Sequence, residues 1–174
     1  MNKTDKRLLD ALRCAIHGET VSWGDSLLPA EQRELTRLAH AHSVLPLVTE
    51  ATGCRYEFMA ALAKQLTLRQ AQRTADFLLL YRELTDRGLH PLVIKGIVLR
   101  DLYPQPEQRP SVDEDLLVSD SEWPRLRDAL LGCGLHIDGE PAPDAEEITF
   151  RDPERHLYLE VHRRLFAEGS DAYG

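Results

Sequence analysis

The apolar residues of this chain change period near Gly88, and that switch limits the folds open to it. Before it they recur every three to four positions, the spacing of one helix face; after it they come in short runs and alternations, the spacing of strands. Leu8, Leu9, Leu12 and Ile16 predict a first helix, stopped by Gly18. Ser22 to Pro29 reads as a loop, with Pro29 opening a helix through Leu35, Leu38 and Ala39. Val44, Leu45, Leu47 and Val48 predict one or two more turns before Gly53. A long helix is expected from about Glu57 to Arg87, with a stripe of Leu62, Leu66, Leu68, Ala71, Ala75, Leu78, Leu79 and Leu84 and a stop at Gly88. Beyond the switch, Pro91 to Ile94 reads as a buried strand, and Ile97 to Tyr103 as a short helix stopped by Pro104 and Pro106. Asp113 to Val118 reads as a strand, and Ser119 or Asp120 caps a helix running to about Leu131. Leu135 to Asp138 is a further strand, residues 140–144 a proline-rich turn, and residues 147–150 and 156–162 two strands joined at Asp152-Pro153-Glu154. The reading is α+β: a helical N-terminal region, 1–88, followed by a small mixed sheet with helices, 89–174.

Composition excludes several classes of function. With 21 Lys and Arg against 29 Asp and Glu, the formal net charge is −8. That argues against an extended, sequence-independent grip on nucleic acid, which needs a basic surface, and leaves room for a small anionic substrate that arrives with its metal. Cys14, Cys54 and Cys133 are an odd number at unrelated spacings, so they form neither a disulfide framework nor a zinc motif. Free thiols fit a reducing cytoplasm. The opening segment is charged and lacks the apolar core of a secretory signal, and no stretch of about 18 apolar residues is present to span a membrane.

The chemistry concentrates between Lys95 and Val118. Asp113 and Asp115 are two apart on a strand, so both carboxylates face the same side. Like charges that close call for a cation, and hard oxygen ligands at a strand end suit Mg²⁺ (or Mn²⁺) with positions left for substrate phosphates. Upstream, Gly96 lets backbone approach a ligand, and the N–H groups of the helix after it can receive an anion. Along the last strand, Leu157, Leu159 and Val161 face the core while Tyr158, Glu160 and His162 face the other way. Set beside the Asp113–Val118 strand, Glu160 would add a third carboxylate, enough for a two-metal site for displacement at phosphorus.

These residues carry a resemblance. The run VIKGIVLRDLYPQPEQRPSVDEDLLV, followed by a helix, GCGL and LYLEVHRRL, resembles the uncharacterised nucleotidyltransferase family of the DNA polymerase beta superfamily. Lys95-Gly96 matches that family's Lys-Gly, Tyr103-Pro104 its Tyr-Pro and Arg109-Pro110 its Arg-Pro. Asp113 and Asp115 match its paired aspartates, and Glu160-Val161-His162 its acid-x-His. The resemblance implies a nucleotidyltransferase-like fold that moves a nucleoside monophosphate from a nucleoside triphosphate to an acceptor it does not name. It implies Asp113, Asp115 and Glu160 as catalytic metal ligands, and Lys95, Gly96, Arg109 and His162 as nucleotide-binding residues. Glu114 stands where the family has an apolar residue, Glu160 is one methylene longer than the usual Asp, and relatives continue with further helices past the point where this chain stops.

Plainer roles compete at each position. Paired aspartates can close a strand in solvent, Lys95 can be a surface lysine, Arg109 can pair with an acid, and His162 can be a hydrogen-bonded, half-buried histidine. His40 and His42 do not share a helix face, which argues against a metal site there. Arg69 and Arg73 do share one, and read as a solvated face. A different class of function, a catalytically silent nucleotide- or protein-binding module on the same fold, is set apart from an enzyme by metal-dependent nucleotide binding without turnover.

Overall fold

The computed structural model describes residues 1–24, 26–142 and 145–166. They form two compact units: residues 1–71 with 103–110, and residues 72–102 with 111–174. The expected turn over 140–144 lies partly outside the described residues.

The first unit is helical. α1 spans Lys3–Ile16, α2 Pro29–Ala41 and α3 Leu45–Ala51; α4, Glu57–Asp86, begins here. The Asn2 side chain accepts from the Asp5 N–H while the Asp5 carboxylate accepts from the Asn2 N–H, which satisfies two donors at the start of α1. Pro29 sits in the first turn of α2, where its missing N–H costs nothing. Leu8, Ala11, Leu35, Ala39, Leu45, Val48 and Met59 close a core. The segment 103–110 contains a 3₁₀ turn at Pro106–Gln108, and the Gln108 amide donates to Glu50 at 2.5 Å.

The second unit holds the sheet. In chain order come β1 (Leu92–Val93), α5 (Ile97–Arg100), β2 (Glu114–Leu117), α6 (Trp123–Gly132), β3 (His136–Ile137), β4 (Glu147–Asp152) and β5 (Leu157–His162). The spatial order is β1-β2-β5-β4-β3, so the last strand is the central one. β5 runs parallel to β2 and antiparallel to β4. The alternation read from the sequence holds along β5: Leu157, Leu159 and Val161 enter a core with Leu116, Leu126, Leu130, Phe150, Phe77, Leu80 and Leu84. Each such side chain contributes about 1.5–3 kcal/mol by leaving water.

Three expectations change. The Pro91–Ile94 run, expected as a buried strand, forms the edge strand β1, and Leu92 is 60% exposed. The short helix after Gly96 ends at Arg100, three residues before Tyr103. On α4 the buried line is Met59, Ala63, Gln70, Phe77, Leu80 and Leu84, while Leu68, Leu78 and Leu79 are exposed. No described helix is long and apolar enough to cross a membrane.

Candidate functional site

β2 carries acids on both faces, and each face has its own surroundings. Glu114 points toward the glycine turn. Gly96 has φ 55 and ψ −110, a conformation that L side chains rarely adopt. A Cβ on Gly96 would also collide with the Glu114 carboxylate. The Ile97 N–H, first in α5, donates to Glu114 Oε2 at 2.7 Å. The Arg100 guanidinium pairs with Glu114 Oε1 and also donates to Ser111 Oγ. Glu114 is 4% exposed and Arg100 1% exposed. Burial pushes the Glu114 carboxyl up, against the pull of Arg100 and the Ile97 N–H. The N–H groups after Gly96 are expected to receive a ligand anion; the anion on the Ile97 N–H is instead a side chain of the protein itself, Glu114. α5 is one turn long, and no signal in the sequence tied Arg100 to a partner 14 residues away.

Asp115 points to the opposite face. The parallel register sets it directly across from Glu160, with His162 across from Leu117. One donor atom each from Asp115, Glu160 and His162 lie within 4.8 Å of one another, close enough to hold a metal ion. His162 Nε2 is 3.1 Å from Asp115 Oδ1 and 4.0 Å from Glu160 Oε2, while its Nδ1 is 3.5 Å from Glu147 Oε2. Lys95 Nζ donates to the same Asp115 Oδ1 at 3.0 Å. That hydrogen bond raises the Lys95 pKa, with the Asp115, Glu160 and Asp113 charges adding to it. The Glu160 carboxyl is pushed up, first by burial and then by the charges of Glu147, Asp113 and Asp115. Two carboxylates and an imidazole suit a divalent cation, and the unfavourable packing of like charges around Glu160 is what such a cation relieves.

The residues singled out from the sequence therefore fall into distinct places. Asp115 and Glu160 come together as ligand candidates, and His162 joins them as a third donor where the sequence reading gave it to the nucleotide. Asp113, half-buried and just ahead of β2, stands outside that group of three and acts on it by charge. Lys95 reaches the cluster from the glycine turn. Gly96 lies against Glu114. Arg109 closes the 3₁₀ turn of the other unit. Glu147 was not anticipated; its alternation on β4 placed it on this face, and only the pairing of β4 with β5 opposite His162 makes that visible.

A family model described as uncharacterised nucleotidyltransferase matches residues 29–173. No curated protein and no solved structure matches the chain. The match covers both the acid-bearing strands and most of the helical unit, and the mixed α+β sheet is consistent with the fold it implies. The chain belongs to this uncharacterised nucleotidyltransferase family.

Proposed function

We propose that the protein is a metal-dependent nucleotidyltransferase that moves a nucleoside monophosphate from a nucleoside triphosphate to an acceptor. The observation that carries the reading is the β2–β5 register, which sets Asp115 across from Glu160 with His162 two residues on and Lys95 alongside. In this reading Asp115, Glu160 and His162 hold Mg²⁺ or Mn²⁺, and Asp113 lends further negative charge. A divalent cation bound there would supply charge to activate the attacking oxygen and to steady the departing pyrophosphate. A bond forms between an acceptor oxygen and the α-phosphorus, the bond to the bridging oxygen of the pyrophosphate breaks, and the acceptor proton is released to solvent. Lys95 is the phosphate contact: a cation arriving at Asp115 Oδ1 competes with its ammonium, which then has a triphosphate within reach. His162 would offer Nε2, the ring nitrogen nearest both carboxylates, as the third ligand.

The test is thermal shift against four nucleoside triphosphates with and without Mg²⁺ or Mn²⁺, followed by pyrophosphate release over a panel of hydroxyl and phosphate acceptors. The reading expects metal-dependent binding and release that Asp115→Asn abolishes. Absence of nucleotide binding by the wild type sinks it. A second reading, a silent binding module, is favoured by one observation: Glu114 fills the place at the glycine turn that an incoming phosphate would use. Metal-dependent binding without pyrophosphate release on any acceptor would select it.

A further inference from the structure

Lys95 and Gly96 form a two-residue span between two fastenings to consecutive residues of β2. On one side the Ile94 N–H donates to the Asp115 carbonyl at 3.1 Å. On the other the Ile97 N–H donates to the Glu114 carboxylate at 2.7 Å. The second fastening is itself locked. Arg100, 1% exposed, comes back from the far end of α5 to the same carboxylate and to Ser111, just upstream of Asp113. Within the span, the Lys95 carbonyl accepts from the Val98 N–H at 3.2 Å, so a tight turn sets the direction of the lysine. Lys95 itself has a side chain 56% exposed, and Asp115 is its one close salt-bridge partner among the described residues. A long, solvated lysine gains little from one surface pair, so how often it sits over its partner is sensitive to how its backbone is placed.

We propose that Glu114 is a positioning residue: by fastening the Ile97 N–H and Arg100, it holds the Gly96 turn so that Lys95 stays over Asp115. The proposal rests on the nucleotidyl-transfer reading for its functional meaning, since Lys95 over Asp115 is then a lysine stationed where metal and triphosphate meet. It gives the acidic residue between the two aspartates a task on the opposite face of the strand. The glycine at position 96 leaves room for this fastening, because an added Cβ there would meet the Glu114 carboxylate.

The chain has four lysines, Lys3, Lys6, Lys64 and Lys95, which makes the placement of Lys95 directly measurable. Limited amine acetylation followed by mass spectrometry gives the labelling rate at each, with Lys3, Lys6 and Lys64 as internal standards. Glu114→Gln removes the charge that grips Arg100 at nearly constant size. The double variant Glu114→Leu/Arg100→Met replaces the buried pair by apolar groups, an exchange that commonly leaves stability intact. It guards against a single variant that does not fold, which would show as faster labelling at all four lysines. In the folded variants the rate at Lys95 alone should rise by roughly twofold to fivefold, the scale set by losing an exposed ion pair. An unchanged Lys95 rate in either folded variant overturns the proposal. Thermal shift with Mg²⁺ and each nucleoside triphosphate runs beside it. If the wild type binds and the folded variants bind more weakly, Glu114 acts on the nucleotide site through Lys95. If the folded variants bind more tightly, Glu114 is an obstacle to phosphate and the proposal fails. If the wild type binds none, the nucleotidyl-transfer reading fails while the labelling rate still decides what Glu114 does.

Discussion

Glu114 and Asp115 are neighbours on one strand, and the two faces they look out on treat negative charge in opposite ways. On the Glu114 face one carboxylate meets one guanidinium and one helix N–H, with both side chains nearly out of water. On the Asp115 face, Asp113, Asp115, Glu147 and Glu160 surround one lysine and one histidine among the described residues. Among the described residues, the first face pairs its one carboxylate with one guanidinium and is closed, while the second carries more carboxylates than cations. A fold gains nothing from the second arrangement, so surplus charge of this kind marks a place where something else is expected to bind.

The comparison breaks most readily at Arg100. Arg100→Met leaves Glu114 buried and uncompensated, and should cost about 3–5 kcal/mol, read as a lower urea midpoint. If it costs no more than the corresponding loss of Lys95, the two faces do not differ in kind. Next in size, Asp115→Asn should weaken Mn²⁺ binding by calorimetry at least roughly 10–100-fold, the range already seen for residues one layer beyond a metal. Full retention of Mn²⁺ affinity would move the metal away from Asp115.

Glu160→Gln sharpens the contrast through pH. The Glu160 carboxyl sits above its ordinary 4.5 in the fold, so the folded state takes up the proton more readily than the unfolded chain. Stability therefore falls as pH rises from about 4.5 through the raised value. The variant should melt roughly 1–3 °C higher than wild type at pH 7 in metal-free buffer, and level with it below pH 4.5. A variant that melts lower at pH 7 would mean that Glu160 is already well compensated. Smallest of all, Lys95→Met should tighten Mn²⁺ binding about twofold to fivefold, because an exposed ammonium is a weak competitor for Asp115. Weaker Mn²⁺ binding would make the lysine a support of the metal site instead.

Much of this was legible in the sequence where the signal is local. Gly18, Pro29 and Gly88 bracket helices because each acts on the backbone beside it. The strict alternation of Leu157 to His162 separated core from acid face, since a strand buried on one side leaves no other pattern. On α4 the expected stripe holds at Leu62, Leu66 and Leu84 and fails at Leu68, Leu78 and Leu79, because leucines lie all around that helix and the buried line runs through Gln70. β1 was read as interior because an apolar run looks the same at an edge. The site was half legible. Asp115 and Glu160 declared themselves by type and alternation, while His162 as a donor, Glu147 as a neighbour and the Glu114–Arg100 pair depend on which strands lie side by side.

The central place of β5 has a consequence for how the protein comes into being. β1 and β2 on one side, β4 and β3 on the other, are separate hairpin-like ribbons until the strand between them arrives. That strand is synthesised after all four, and it brings Glu160 and His162 with it. A growing chain emerging from the ribosome would thus display Asp113 and Asp115 for the whole interval without Glu160 and His162 beside them. Joining distant segments is slow because loop closure comes before the contacts that reward it. The three donors of the cluster are thus brought together only by the completion of the sheet, and any ligand that needs all of them must wait for the last strand.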